Sequence, residues 1–136
     1  MSREKVYRIV YMRVLIVDDA GFVRELLRNV LMPMHLDSIV ETGTPESVLQ
    51  LIKQHKIDLV FLDLVLPNKN GITLAREIKA SDSRVRIVAI TSMDREDIRE
   101  EAIKAGCELL IQKPFKKSEI ESLIRSYYEK KAVVNG

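Results

Sequence analysis

Five short apolar runs recur along the chain, and each is nearly continuous instead of alternating with polar residues. They lie at residues 14–17, 38–40, 59–62, 86–90 and 109–111. Runs of this length that are rich in β-branched residues are typical of strands buried on both faces, as in a parallel sheet. The pattern therefore predicts five parallel β-strands.

The first two segments between these runs have the spacing of amphipathic helices. In the first, apolar residues recur at intervals of three and four positions, at Val23, Leu26, Leu27, Val30 and Leu31. Thr44 predicts the start of a second helix, because it is a hydroxyl N-cap followed by Pro45 at the first helical position. The apolar residues of that helix are Val48, Leu49, Leu51 and Ile52.

The remaining helices are predicted mainly from the residues at their ends. Gly71 precedes a third helix, Asp94 is a suitable N-cap for a fourth, and Gly106 is a suitable left-handed residue after its end. Ser118 and Glu121 match the capping-box pattern at the start of a fifth. Five strands that alternate with five helices predict an α/β domain, a doubly wound (βα)5 flavodoxin-like three-layer sandwich with a parallel sheet in the order 2-1-3-4-5.

Composition is that of an ordinary soluble domain. Of the 136 residues, 46% are hydrophobic and 31% are charged, and no apolar run reaches the ~18 residues of a membrane-spanning helix. We expect one domain over residues 12–131, with 1–11 as an N-terminal extension that is either flexible or not native, and 132–136 as a C-terminal tail. A single cysteine, Cys107, and the lack of a signal-peptide pattern favour a reducing, cytoplasmic location.

The net charge of +2 is carried entirely by the first eleven residues. There Arg3, Lys5 and Arg8 stand against Glu4, so the rest of the chain is neutral. A neutral body without a basic stripe argues against nucleic-acid binding. We therefore expect neither a nucleic acid nor a membrane as partner.

Polar residues follow four of the predicted strands. Asp18 and Asp19 end the first strand, Asp63 the third and Thr91 the fourth, and Lys113 follows the fifth. In a doubly wound sheet, ligands bind at the carboxyl ends of the strands near the point where the strand order reverses. Three carboxylates brought together there repel one another unless a cation binds between them, and oxygen ligands of this kind suit Mg²⁺. A lysine and a hydroxyl nearby suit a phosphoryl group, so the pattern predicts a metal-assisted phosphoryl site with one carboxylate as the acceptor.

Each of these residues also has an ordinary structural interpretation. Asp19 alone is a good N-cap for the first helix, Thr91 alone is a good cap for the helix after it, and Lys113 alone is an ordinary surface lysine. Asp63 is harder to explain as a loop residue, because it directly follows a strongly apolar run. The position of all five residues at one edge of the predicted sheet favours the site.

Four stretches at the strand ends carry a resemblance to a known family. They are VLIVDD at 14–19, DLVLP at 63–67 with Asn70-Gly71, ITS at 90–92, and Ala105-Gly106 with KPF at 113–115. In this spacing they resemble the receiver domain of two-component response regulators, over residues 13–131.

The resemblance implies that Asp63 takes a phosphoryl group from the phosphohistidine of a histidine kinase or phosphotransfer protein. It also implies that Asp19, Asp63 and the carbonyl of Val65 bind Mg²⁺ directly, with Asp18 acting mainly through bound water. In this family Val65 and Met93 stand where side chains border the water that hydrolyses the acyl phosphate. Neither is polar, so we expect a long-lived phosphorylated form.

The resemblance assigns Lys113 to the phosphoryl oxygens and Thr91 to a hydroxyl that turns onto the phosphoryl group in the active state. It also implies a cis peptide between Lys113 and Pro114. The family usually has Tyr or Phe three positions before the lysine, where this chain has Leu110. The usual aromatic readout of phosphorylation is therefore open to question in this chain.

We expect a stand-alone receiver that docks a downstream protein when phosphorylated, through the fourth helix, fifth strand and fifth helix, about residues 94–128. It would catalyse only its own phosphorylation and dephosphorylation and would not be a turnover enzyme. One alternative is a phosphatase of the haloacid dehalogenase superfamily, which needs a second Asp two residues after the nucleophile, where this chain has Val65. The other is an interaction module that works without phosphorylation, and Leu110 keeps that alternative open.

Overall fold

The computed structural model describes residues 12–93 and 95–131. Five strands form one parallel sheet. They are β1 (Arg13–Val17), β2 (Ser38–Thr42), β3 (Leu59–Asp63), β4 (Arg86–Thr91) and β5 (Leu109–Gln112), with numbers given to the strands of this sheet only. They lie in the order β2-β1-β3-β4-β5, which confirms the predicted fold and strand order.

Five helices follow the strands, as predicted. They are α1 (Gly21–Leu31), α2 (Val48–His55), α3 (Gly71–Ser81), α4 (Glu96–Lys104) and α5 (Lys117–Lys131). A short antiparallel ribbon, Val65–Leu66 with Lys69–Asn70, lies between β3 and α3 and was not predicted. The predicted extension 1–11, tail 132–136 and Asp94 cap lie outside the described residues.

The sheet is buried on both faces because successive side chains of each strand enter different hydrophobic clusters. In β1, Leu15 and Val17 pack with residues of α2, α3 and α4. Val14 and Ile16 pack on the other face with residues of α1 and α5. This arrangement explains why the apolar runs are continuous. At the outer surfaces the prediction was less accurate, since Leu26 and Leu49 are 41% and 39% exposed.

The predicted helix start at Thr44 and Pro45 is confirmed in position, but the first turn is not α-helical. Residues Pro45–Ser47 form a 3-10 turn, and the α-helix begins only at Val48. Thr44 precedes the turn but makes no capping hydrogen bond with its side chain. Its hydroxyl lies 3.1 Å from that of Thr42 and 3.0 Å from that of Ser47, and this hydroxyl cluster takes the place of the expected cap.

The predicted capping box of Ser118 and Glu121 at the start of α5 was wrong. Its helix begins at Lys117, so Ser118 is already helical. The Lys116 N–H donates to the Glu119 carboxylate at 3.0 Å, which is the contact that a capping box makes. After α4, Gly106 has a φ of 108° and confirms the predicted left-handed glycine.

Candidate functional site

The three predicted carboxylates meet at one edge of the sheet. Asp18 directly follows β1, Asp19 comes next, and Asp63 is the last residue of β3. Because β1 and β3 are neighbours, one oxygen from each carboxylate lies within 4.8 Å of the others. Two of the three are deeply buried, since Asp18 is 2% and Asp63 6% exposed, whereas Asp19 is exposed.

Backbone amides hold the two buried carboxylates. Asp18 Oδ1 accepts the N–H of Ala20 at 2.9 Å, and Asp63 Oδ1 accepts the N–H of Val65 at 3.1 Å. The N-cap of α1 is Ala20 and no side chain caps that helix, so the structural interpretation of Asp19 as a cap was wrong. The Asp19 carboxylate is therefore not engaged in stabilising α1.

Burial is the main influence on the titration of Asp63. It raises the pKa of this carboxyl above its ordinary value of 3.8, and the nearby charge of Asp18 raises it further. The Val65 N–H and the Lys113 ammonium act in the opposite direction, but they do not cancel the effect of burial. Ionisation of the Asp63 carboxyl therefore costs free energy, and an added cation would lower this cost.

Lys113 supplies a positive charge to this cluster. Its Nζ lies 2.6 Å from Asp18 Oδ2 and 3.5 Å from Asp63 Oδ2, and its side chain is only 20% exposed. The interpretation of Lys113 as an ordinary surface lysine was therefore wrong. The peptide between Lys113 and Pro114 is cis, as the resemblance implied.

Thr91 ends β4 and is fully buried. Its hydroxyl accepts the N–H of Met93 at 3.2 Å, and its carbonyl accepts the N–H of Lys113 at 2.7 Å. It does not cap α4, which begins at Glu96 after an N-cap at Arg95. Its neighbour Ile90 is in register with Asp63, so Thr91 lies at the same edge of the sheet as the carboxylates.

The turn after Asp63 is held closely against the start of α3. Gly71 donates its N–H to the Leu64 carbonyl at 3.0 Å, and Asn70 caps the helix by accepting the N–H of Ile72 at 2.8 Å. A Cβ on Gly71 would lie 2.4 Å from the Cα of Leu64 and 2.6 Å from the carbonyl oxygen of Asp63. Only glycine allows this approach, which fixes the backbone on which Asp63 sits. This contact was not predicted, and the Asn70-Gly71 pair before α3 is the sequence feature that could have indicated it.

Arg24 is a contributor that sequence reasoning missed. Its guanidinium donates to the backbone carbonyl of Asp18 at 2.7 Å and to the carboxylate of Glu41 at 3.2 Å. An arginine on a surface helix gives no sequence signal for such a contact, because arginines on helix surfaces are common.

The donor set fits a hard divalent cation. Three carboxylates from two adjacent strand ends offer oxygen ligands, and the exposed Asp19 leaves one side of the cluster open to solvent, as Mg²⁺ with retained waters requires.

Val65 is 54% exposed beside this cluster and Met93 is half-buried. Leu110 is buried in the core between the sheet and the α2–α3–α4 layer. Among the described residues, no helix is both long and apolar enough to cross a bilayer.

Comparisons with known proteins agree with this arrangement. The family model described as "Response regulator receiver domain" matches residues 14–125. The chain is 35% identical over 103 residues to the chemotaxis protein CheY of Bacillus subtilis (strain 168), a match that covers 76% of this chain and 86% of the relative. It is also 35% identical over 112 residues to CheY of Halobacterium salinarum, covering 82% and 92%. Among solved structures, a CheX–CheY–BeF3–Mg²⁺ complex from Borrelia burgdorferi superposes with a TM-score of 0.80 at 26% identity, covering 86% of this chain and 89% of that one.

Proposed function

The chain belongs to the response regulator receiver family, and on this basis we propose that Asp63 accepts a phosphoryl group from the phosphohistidine of a histidine kinase or phosphotransfer protein. One observation carries the proposal. The Asp63 carboxylate is buried at a strand end, with one oxygen held by the Val65 N–H and the other 3.5 Å from the Lys113 ammonium. A fixed carboxylate beside a cation is the arrangement that an acyl-phosphate acceptor needs.

In the transfer step, an Asp63 oxygen forms a bond to phosphorus as the bond from phosphorus to the histidine nitrogen breaks. The electron pair of that bond returns to the imidazole, and the product is an aspartyl phosphate. Lys113 would pair with the phosphoryl oxygens, and the buried Thr91 hydroxyl, whose oxygen accepts the Met93 N–H, would donate its own proton to one of them.

We assign the metal ligands to Asp18, Asp19, Asp63 and the carbonyl of Val65, with Asp18 acting mainly through water. Bound Mg²⁺ would offset the charge that gathers on the phosphoryl oxygens as the bond forms. The donor chemistry of the acidic cluster supports this assignment. Further support comes from the Borrelia relative, whose structure contains both Mg²⁺ and BeF3, a mimic of a phosphoryl group.

The output is phosphorylation-dependent docking of a downstream protein on the face formed by α4, β5 and α5, about residues 94–128. The site and this face are connected because the Thr91 carbonyl binds the Lys113 amide at the end of β5. Tyr127 is buried, and its hydroxyl donates to Glu108 at 2.7 Å, so it is not a docking contact. Ile103 on α4 is 47% exposed and is available.

This chain acts as a stand-alone signalling domain, catalysing only its own phosphorylation and dephosphorylation. The matches cover 86% and 92% of the length of two CheY relatives, and this coverage supports a role like that of a receiver without an output domain. The neutral charge of residues 12–131 supports protein partners, with no nucleic acid and no membrane. The single cysteine supports a reducing, cytoplasmic location. A phosphatase of the haloacid dehalogenase type is disfavoured because Val65 stands where its second acid is needed.

Phosphorylation of Asp63 is tested with acetyl phosphate in the presence of Mg²⁺ or EDTA. We expect ~80 Da of added mass per chain, dependent on Mg²⁺ and labile to hydroxylamine, and absent from Asp63→Asn. Asp82→Asn is the control, since Asp82 lies beyond the end of α3 and its carboxylate pairs, within the described part of the chain, with Arg84. Labelling of Asp63→Asn at the level of the unmodified protein would contradict the assignment, and steady turnover of a phosphomonoester would favour the phosphatase.

A further inference from the structure

Arg24 connects the acidic edge of the sheet to the neighbouring strand. From the start of α1, its NH1 donates to the Asp18 carbonyl at 2.7 Å and its Nε donates to Glu41 Oε1 at 3.2 Å. The side chain is 22% exposed. Glu41 lies in β2, so the guanidinium holds the loop after β1 to a strand that lies on the far side of β1 from Asp63.

This contact matters most for Asp19. Among the described residues, the Asp19 carboxylate has no hydrogen-bond or salt-bridge partner, whereas those of Asp18 and Asp63 are held by backbone amides and Lys113. The direction of the Asp19 side chain is therefore set by the backbone of residue 19. The Asp18 carbonyl and the Asp19 amide share one rigid peptide plane, so a group that holds the carbonyl also sets the direction in which residue 19 leaves that plane.

Gly43 leaves room for the guanidinium. A Cβ at position 43 would lie 2.9 Å from Arg24 NH1, but 3.5 Å from the Asp18 carbonyl oxygen and 3.6 Å from the Asp19 Cα. The first distance is too short for a real contact, while the other two are ordinary. A methyl group there would displace the end of the arginine and leave the loop backbone in place.

We propose that Arg24 is a positioning residue for magnesium: by holding the Asp18 carbonyl, it aims the Asp19 carboxylate at the metal position beside Asp63. The inference rests on the proposed function, because it concerns the same metal. Arg24 does not touch the metal and acts only through the Asp18–Asp19 peptide. Its charge is already balanced by Glu41, so its effect is geometric.

The test is the Mg²⁺ dissociation constant of metal-free protein, measured by calorimetric titration for Arg24→Met and for a matched control. Arg28 is that control, because it also lies on α1 and binds the other oxygen of Glu41 at 3.3 Å, but its remaining contact is the Ile39 carbonyl. We expect Arg24→Met to weaken Mg²⁺ binding by about 3- to 10-fold, as partial loss of one charge-assisted hydrogen bond would. Arg28→Met should leave it unchanged.

Two further variants separate positioning from stability. Arg24→Lys keeps one donor for the Asp18 carbonyl and should restore part of the affinity. Gly43→Ala keeps the arginine but displaces it, and should weaken Mg²⁺ binding as Arg24→Met does. In metal-free protein, both Arg24→Met and Gly43→Ala should shift the amide resonances of Asp19 and Ala20, a change that general loss of stability would not confine to this loop.

The outcomes distinguish the two proposals. If the unmodified protein binds no Mg²⁺, the proposed function fails and this inference fails with it. If it binds Mg²⁺ and Arg24→Met binds equally well, only the inference is overturned. Equal weakening by Arg28→Met would overturn it as well, because the effect would then belong to the Glu41 ion pairs and not to the Asp18 carbonyl.

Discussion

Replacing Lys113 by methionine removes the positive charge that, among the described residues, pairs with the carboxylates of Asp18 and Asp63, and keeps a side chain of similar length. The ammonium lies 2.6 Å from an Asp18 carboxylate that is only 3% exposed, and 3.5 Å from Asp63. Breaking a fully buried pair costs ~3–5 kcal/mol, because one charge is left without a partner. Since the lysine side chain is 20% exposed, we expect Lys113→Met to lower the free energy of unfolding by less than this, about 2–3 kcal/mol in metal-free protein.

Magnesium should reduce this loss. In Lys113→Met the three carboxylates have no cation, so a bound metal relieves more repulsion than it does in the unmodified protein. A ligand at ~100 times its dissociation constant stabilises the folded state by about 2.7 kcal/mol, which is close to the loss predicted for the variant. We therefore expect Mg²⁺ to stabilise Lys113→Met more than it stabilises the unmodified protein.

The assay is urea denaturation, followed by circular dichroism, in EDTA and in millimolar Mg²⁺. Lys69→Met is the matched control, because the Lys69–Glu77 pair is 2.7 Å long but its side chains are 30% and 41% exposed. An exposed pair of this kind is worth less than ~1 kcal/mol. A loss in Lys113→Met no larger than in Lys69→Met, or the same Mg²⁺ effect in variant and unmodified protein, would refute the reasoning.

Three further predictions concern Asp63 and the residues around it. Because burial raises the pKa of Asp63, its protonated form favours the fold, and that stability is present below the ordinary pKa of 3.8 and lost as the pH rises through the folded-state pKa. Asp63→Asn should therefore melt at a higher temperature than the metal-free unmodified protein at pH 7, and the difference should shrink near pH 4. Gly71→Ala should lower the free energy of unfolding by about 2 kcal/mol or more in urea, since its Cβ would lie 2.4 Å from the Leu64 Cα; an unchanged midpoint would contradict the close approach. Val65→Asn combined with Met93→Glu should speed hydrolysis of the aspartyl phosphate by about 10-fold, because polar side chains can orient the attacking water. The rate is measured as the loss of added mass in Mg²⁺, and equal decay in variant and unmodified protein would show that these positions do not limit it.

The sheet was predictable because its signal is strong and repeated. The runs in β1, β3 and β4 are buried on two faces, so they read as continuous, and the helices between the runs require parallel connections. The five site residues followed from the same plan, since strand ends of a parallel sheet meet at one edge. Asp18, Asp63 and Lys113 were placed in this way without any knowledge of distances.

Details decided by competing short-range contacts were not predictable. Thr44 has the right side chain for a cap, but its hydroxyl is engaged by Thr42 and Ser47. Glu119 caps α5 in place of the predicted pair because the helix starts one residue earlier than Ser118. Sequence spacing alone does not choose between such near-equal partners, since each contact is worth only about 1 kcal/mol.

Arg24 illustrates a different limit. Its contact with the Asp18 carbonyl depends on the space left by Gly43, a residue of the loop after β2. Periodicity places residues on faces of helices and strands, but it does not show where one backbone leaves room for a distant side chain.

The strand order also determines when the site can be completed as the chain is synthesised. β2, β1 and β3 pair through residues that all precede Leu64, so three of the five strands can pair before the rest has left the ribosome. The three carboxylates gather at that stage, while Lys113 lies 95 positions after Asp18 and is made with the last strand. Addition of β5 therefore completes the sheet and brings the Lys113 ammonium to the carboxylates in the same step. A nascent chain that stops before β5 contains the three acids without the lysine that pairs with them.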